Sequence, residues 1–292
     1  MKVLMAEVNF SEGTNLDIVK QVRDALMSVE GVTMVDENSD KDHNRSVFTY
    51  IGTPEAVLEG TKKLSEKAIE LIDMTKHTGS HPRMGAIDVV PFIPVRDVTS
   101  EEAVEIAKEY ATFLGGLGVP VYYYEDASEN PDRKTLPKIR KGQYEALEEK
   151  MQDEFWRPDA GPFEFNPKSG ATVTGARFPL IAFNVNLNTT DIEVGKAIVK
   201  TVRAAAGGFT NVRAIALDIP EKNQVQVSMN LTNYEKTPIH RVLETIKFEL
   251  TRFNVTIADT ELVGPLPVYA LKDLLQFYIK VNDDFSVDQI FG

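Results

Sequence analysis

Along this chain, apolar and polar residues alternate with a period of two in several short runs, and between those runs they recur every three to four positions. The first run, residues 2–9, sets Leu4, Ala6, Val8 and Phe10 on one face of a strand and leaves Glu7 and Asn9 on the other. A helix over about 15–28 follows, then strands over 33–38 and 45–52. The next helix, 54–72, begins with Thr53 as cap and Pro54 at its first position, a favoured arrangement. A strand over 87–95 completes the group. The same order then returns: strand 178–187, helix 190–206 stopped by Gly207-Gly208, strands 212–218 and 224–231, helix 238–253 and strand 256–263. The last of these helices is again opened by threonine and proline. Each half therefore reads β-α-β-β-α-β, the split βαβ or ferredoxin-like unit. A short likeness supports the duplication: Ile18-Val19-Lys20-Gln21-Val22-Arg23 against Ile198-Val199-Lys200-Thr201-Val202-Arg203.

The expected fold is α/β (α+β), with two ferredoxin-like subdomains, residues 1–178 and 179–292. Each has a mixed or antiparallel sheet with helices on one face, and a substrate cleft lies between them. Between the repeated groups, 100–117 reads as a helix and 119–124 as an additional strand. A stretch rich in charge comes next, with Arg133, Lys134, Lys138, Arg140 and Lys141. Residues 156–174 carry three prolines and no period, so they read as a long loop, and ordered long loops are often functional. Residues 268–280 have the spacing of one amphipathic helix.

Parity along the strands separates the two faces further. Ile181, Phe183, Val185 and Leu187 share a face, leaving Asn184 and Asn186 opposite; the strand at 224–231 likewise sets Gln226, Ser228 and Asn230 against its valines. A merely wet sheet face would also alternate. Yet such faces usually show Lys, Glu and Thr, whereas amides both donate and accept and so suit a heterocycle. Asn9, Asn184 and Asn186 are candidate ligand contacts on this ground.

The composition narrows the class. At 292 residues, with 42% hydrophobic and 26% charged, the chain is an ordinary globular protein of about two domains. It holds no run long and apolar enough for a membrane span, and its start reads as a strand, not as a signal peptide. Without cysteine there are no disulfides or thiol nucleophiles, which fits a reducing cytoplasm. A net charge of −12 argues against nonspecific nucleic-acid binding. An anionic substrate would then need local cations set against an acidic whole.

The candidate chemistry centres on His77-Thr78-Gly79-Ser80-His81-Pro82-Arg83-Met84-Gly85-Ala86-Ile87-Asp88. Pro82 pushes His81 toward an extended backbone, and Gly79 and Gly85 allow a tightly shaped loop. His77 and His81 are four apart, the spacing of a helical zinc pair, but glycine and proline disfavour a helix and no third ligand is near. No metal is expected. A histidine here either moves protons or holds the loop by bonding its backbone, and the pattern leaves both open. Arg45, Arg83 and Arg96 flank the strands of the first sheet and could bind carboxylates by bidentate forks; alternatively each is paired with Asp42, Asp88 or Asp97. No phosphate loop or dinucleotide fingerprint occurs, so no nucleotide is expected.

Several motifs together resemble the glutamate formiminotransferase family over essentially the whole chain. They are Asn9-Phe10-Ser11-Glu12-Gly13, Asn44-Arg45, Leu71-Ile72-Asp73-Met74, His81-Pro82-Arg83-Met84-Gly85-Ala86, Pro91-Phe92-Ile93-Pro94-Val95-Arg96, Gly170-Ala171-Thr172-Val173-Thr174-Gly175-Ala176-Arg177 and Ile181-Ala182-Phe183-Asn184-Val185-Asn186. The resemblance is to the stand-alone form, without a cyclodeaminase domain. It implies transfer of a formimino group from N-formimino-L-glutamate to tetrahydrofolate as co-substrate, in histidine degradation and one-carbon metabolism. It also implies a cytoplasmic homodimer with no nucleic-acid or membrane partner. By position, it makes His81 the catalytic acid-base. It places folate contacts at Gly161, Pro162, Phe163, Glu164, Phe165, Asn166, Pro167, Lys168, Ser169 and Gly170. A relative transferring formyl from formylglutamate or 5-formyltetrahydrofolate, or a folate-binding protein without turnover, would share much of this pattern.

Overall fold

The computed structural model describes residues 1–290, which form two compact units, one from Met1 to Arg177 and the other from Phe178 onward. In the first, β1 (Val3–Phe10), α1 (Leu16–Met27), β2 (Thr33–Asp40), β3 (Arg45–Gly52), α2 (Pro54–Leu71) and β4 (Ile87–Arg96) come in the expected order. After them stand α3 (Ser100–Gly116), β5 (Val121–Glu125), the one-turn helices α4 (Leu136–Ile139) and α5 (Leu147–Lys150), and β6 (Thr172–Ala176). The six strands are ordered β2-β3-β1-β4-β6-β5. The first four pair antiparallel, as a split βαβ unit requires. β6 then joins β4 and β5 by parallel pairing, so the sheet is mixed.

Local signals explain the helix starts. Asn15 accepts from the backbone N–H groups of Asp17 and Ile18, Thr53 accepts from that of Ala56, and Thr99 with Glu102 forms a reciprocal capping box on α3. The apolar stripes of α1, α2 and α3 cover one sheet face, burying Leu4, Ala6, Val8 and Phe10 of β1 as their parity requires. Phe10 meets Phe48 edge to face at 4.9 Å between centroids, and each contributes roughly 1.5–3 kcal/mol by its burial. Two fully buried tyrosines keep their hydroxyls satisfied on α2: Tyr50 with Thr61 and Tyr110 with Ser65, both at 2.6 Å.

Two expectations fail in this unit. The stretch 156–174 is not all loop, because β6 begins at Thr172. Its five residues are all buried, so no alternation betrays it; Thr172 and Thr174 hide their hydroxyls by donating to the Ile87 and Val90 carbonyls at 2.8 Å. Nor are helices confined to one face. α4 and α5 bring Ile139, Leu147 and Met151 onto Val89, Tyr122, Tyr124 and Val173, a second core on the opposite side.

The second unit holds β7 (Ile181–Leu187), α6 (Ile192–Val202), β8 (Val212–Ile219), β9 (Gln224–Leu231), α7 (Ile239–Leu250), β10 (Ile257–Val263) and α8 (Val268–Ile279). Its strands run β10-β7-β9-β8, all antiparallel, the same order as the first four of the other sheet. α6 and α7 bury their stripes against Ile181, Phe183, Val185, Val225, Val227 and Met229. The expected threonine cap on α7 is not made: Pro238 itself sits at the cap in extended conformation, and no side chain bonds the first turn.

Candidate active site

The loop between α2 and β4 is zipped to the turn between β2 and β3. Ser80 donates through both its backbone N–H and its hydroxyl to the Asp42 carbonyl, at 3.2 and 3.0 Å. Asn44 donates to the Thr78 carbonyl at 2.8 Å, and His77 Nε2 donates to the Asn44 carbonyl at 3.0 Å. A Cβ at Gly79 would run into the His43 carbonyl, so only glycine lets the two loops approach so closely. Gly85 is confined in the same way, against the Ser169 and Ala171 carbonyls. A polar cleft of about 640 Å³ opens along these loops, lined by Ser11, Glu12, Lys41, Asn44, His77 and Gly79 among others.

This zipping brings His81 onto Arg45. The guanidinium Nη1 lies 2.8 Å from His81 Nε2 and 3.2 Å from Asn9 Oδ1. A guanidinium only donates, so Nε2 is an acceptor and the ring is neutral with its proton on Nδ1. Nε of Arg45 is buried without a hydrogen-bond partner. Burial, then Arg45, Arg140 and His43, push the His81 pKa down to about 4. The His43 ring stands edge-on to His81 at 6.0 Å and is itself paired through Nδ1 with Asp40 at 2.9 Å. Burial and the Arg140 charge also lower the pKa of Arg45, against the pull of Asp88, Asp40 and Glu7.

Asn9, Arg45 and His81 are thus brought together. The other two arginines are not. Arg83 is buried and already engaged: both Nη atoms donate to Glu145, at 2.6 and 3.1 Å, and Nε donates to His77 Nδ1 at 3.2 Å. It is a latch between loops, not an open carboxylate fork. His77, held between Arg83 and the Asn44 carbonyl, takes the structural role that the pattern had left open. Arg96 is exposed at the far end of β4, opposite Val3, whereas Asn9 faces Val89 near its start. Eight residues of strand from Asp88 put it on the order of 25 Å away along the sheet.

Residues 161–170 divide in two. Gly161 packs on Gly115 and the Val119 carbonyl, and Asn166 bridges the Gly118 carbonyl to the Ser169 N–H. The Ser169 carbonyl takes the Ala86 N–H, and Gly170 abuts Gly85. These residues are scaffolding that supports the histidine loop. Phe163, Glu164 and Lys168 are exposed; Phe165 tilts against Tyr144, whose hydroxyl bonds the Pro167 carbonyl. In the second unit Asn186 is fully buried, donating to Asp259 at 2.6 Å and accepting from Gln226 at 2.9 Å. Glu261 accepts from Asn184, Asn186, Gln226 and Lys222. That face therefore carries charge, and Ile215 and Leu217 of β8 are exposed as well, contrary to the face of amides and hydroxyls expected.

Sequence reasoning passed over His43, Asp40, Asp88, Arg140, Asp259 and Glu261 as site residues. Asp88 stood at the end of the histidine stretch as a possible arginine partner and Arg140 in the charged stretch, but neither signal said which arginine the carboxylate would meet. Among the described residues no three histidine, aspartate or glutamate side chains gather to hold a metal ion, and no helix is long and apolar enough to cross a membrane.

The description of the formiminotransferase N-terminal subdomain matches residues 3–177, and that of the formiminotransferase domain matches residues 182–290. The chain belongs to the formiminotransferase family. It is 44% identical to a glutamate formimidoyltransferase of Streptococcus pyogenes, over 97% of this chain and 95% of that one. Another of the same name, from Thermoplasma acidophilum, is 43% identical over 97% and 94%. The mouse formimidoyltransferase-cyclodeaminase is 44% identical over 96% of this chain, which spans 53% of that longer protein. As a member of the formiminotransferase family the chain is a transferase, and its two matched regions meet between residues 177 and 182, beside the division into compact units.

Proposed function

We propose that this formiminotransferase moves the formimino group of N-formimino-L-glutamate to tetrahydrofolate, with His81 as the acid-base group. The observation that carries the role of His81 is its neutral ring, held 2.8 Å from a half-buried arginine in a loop shaped around it.

The chemistry asks for little else. The secondary amine N5 of the reduced pterin attacks the formimino carbon and gives up its proton, forming a tetrahedral intermediate. The glutamate nitrogen then leaves with that proton, so 5-formiminotetrahydrofolate and glutamate are the products and one base serves both steps. Arg45 occupies the Nε2 lone pair of His81. A substrate carboxylate, a stronger acceptor than imidazole, would draw Arg45 toward itself and free Nε2 to take the proton. It would also offset the positive field that keeps the ring a weak base, bringing its pKa toward the working range. Acid-base assistance of this kind contributes about 10²–10⁴-fold, and orientation of two bound substrates adds to it.

Folate contacts from Phe163 to Lys168, and from Asn9, Asn184 and Asn186, belong to the same reading. They are supported by the family resemblance and, for Asn184, by an amide not fully buried. A cytoplasmic homodimer is part of it on the resemblance alone. The test is tetrahydrofolate modification followed spectrophotometrically with N-formimino-L-glutamate as donor. His81→Ala should lower kcat by two to four orders of magnitude while tetrahydrofolate binding, measured by calorimetry, stays within a few fold. Near wild-type turnover in that variant would remove His81 from the chemistry.

A further inference from the structure

Arg140 stands outside every role described so far, yet its surroundings are built around it. Its Nη2 lies 2.5 Å from Oδ2 of Asp88, whose side chain is almost wholly buried. Asp88 is the extra residue of a bulge: Asn9 faces Val89 and Phe10 faces Ile87, so Asp88 has no partner on β1 and is re-aimed by the irregular backbone. Its other oxygen takes the Met84 N–H at 2.8 Å, three residues after His81.

The backbone around Arg140 is fixed as firmly. The Lys150 ammonium, 3.7 Å above the Trp156 ring, donates to the carbonyls of Ile139 and Lys141, the two neighbours of Arg140. Three to five residues on, Gln143 and Glu145 accept from the Arg83 guanidinium and the Tyr144 N–H donates to the Arg83 carbonyl at 2.8 Å. The loop bearing Arg140 is therefore latched to the loop bearing His81.

The donors outnumber the acceptors. Arg45, Asp88 and Arg140 lie within Coulombic reach of one another, and His81 between the two guanidiniums is neutral. Of the other carboxylates that act on Arg45, Glu7 is paired with Arg177 and Asp40 bonds His43. Nε of Arg140 and Nε of Arg45 are both buried without a hydrogen-bond partner. Two guanidinium groups with unmet donors beside one neutral histidine describe a place that a carboxylate would complete.

We propose that Arg140 and Arg45 together form the site that seats a substrate carboxylate beside His81, Arg140 being held in place by Asp88 and Lys150. This rests on the formimino-transfer reading only for the identity of the substrates. The carboxylate is one of formiminoglutamate's two or that of the glutamate tail of folate, and the two sources separate kinetically.

Wild-type turnover with N-formimino-L-glutamate and tetrahydrofolate is measured first, so that failure of the activity itself shows before any variant is made. Arg140→Lys keeps the charge opposite Asp88 but loses the fork. Its KM for the carboxylate substrate should rise about tenfold, more than kcat falls. The double variant Asp88→Asn, Arg140→Gln removes the pair without stranding one buried charge, and should raise that KM further. A rise for the donor alone assigns its carboxylate; a rise for tetrahydrofolate that vanishes with tetrahydropteroate, which lacks the tail, assigns the tail. Folded variants with both KM values within twofold of wild type overturn the proposal. Should neither variant fold, arginine Nε–H NMR of the wild-type protein decides. A buried Nε–H signal that shifts with saturating L-glutamate or folate supports the site, and unchanged signals with both overturn it.

Discussion

The sheet face opposite α1 to α3 in the first unit and the face opposite α6 and α7 in the second make an instructive pair, because they share a strand order but not a set of partners. On the first, Asn9 accepts from Arg45, but Nε of Arg45 and Nε of Arg140 are left without acceptors. On the second, Asn184, Asn186 and Gln226 already donate to Asp259 and Glu261, which β10 supplies across the ladder from β7. The first cluster keeps unmet donors, and the three amides of the second have their acceptors. An incomplete buried polar network is costly to keep unless a ligand completes it, whereas a satisfied one stabilises its sheet. On the proposed reading, the duplicated unit has been used once for a reactive site and once for a polar lattice.

The sharpest way to break this contrast is to remove the cation. Arg45→Gln should lower kcat/KM for formimino transfer by about a hundredfold or more, since both the carboxylate fork and the alignment of His81 go with it. Steady-state kinetics with each substrate varied measures this, and a loss under fivefold would equate the two faces. In the second unit Asn186→Leu should act on stability instead, costing about 1–3 kcal/mol because Asp259 and Gln226 lose their buried partner. Urea denaturation reads that cost. A variant as stable as wild type would show that the lattice is ornamental.

A smaller effect sharpens the electrostatic side. In the proposed mechanism the active form of His81 is the free base, and its pKa near 4 means that kcat/KM should stay level from neutrality down to about pH 4 before falling. Arg45→Gln removes the second-largest cause of the depression, so its acid limb should move up toward the ordinary 6.5. An acid limb near 6.5 in the wild type would contradict the depressed ring. The smallest effect is on folding. The unfolded chain binds the His81 proton below about 6.5 and the folded chain only near 4, so stability should fall as pH drops through that window. His81→Ala should make that slope shallower in urea titrations at successive pH values.

Much of the fold was legible before any coordinate. Thr53 with Pro54 marks a helix start by local chemistry, and the parity of Leu4, Ala6, Val8 and Phe10 named the buried face of β1 directly; Gly207-Gly208 did not mark the end of α6, which stops at Val202. β6 escaped because a strand buried on both faces has no alternation to read, and the missing cap on α7 because a Thr-Pro pair fits either side of a helix start. Of the site, the His81 loop stood out by composition. Arg83 and Arg96 were indistinguishable from Arg45 on the page, since an arginine's use depends on which acceptors it meets.

What the sequence alone determined is the duplicated order of strands and helices, the core faces and the tightly shaped histidine loop, because these rest on periods, caps and glycines acting over a few residues. What the tertiary structure decided is which partner each charge meets: which arginine is latched to Glu145, which lies a strand's length away, which bonds Asn9 and His81, and which is paired with Asp88. Ionic partners are chosen by distance in space across 36 or 52 positions of chain, and no local pattern encodes that distance.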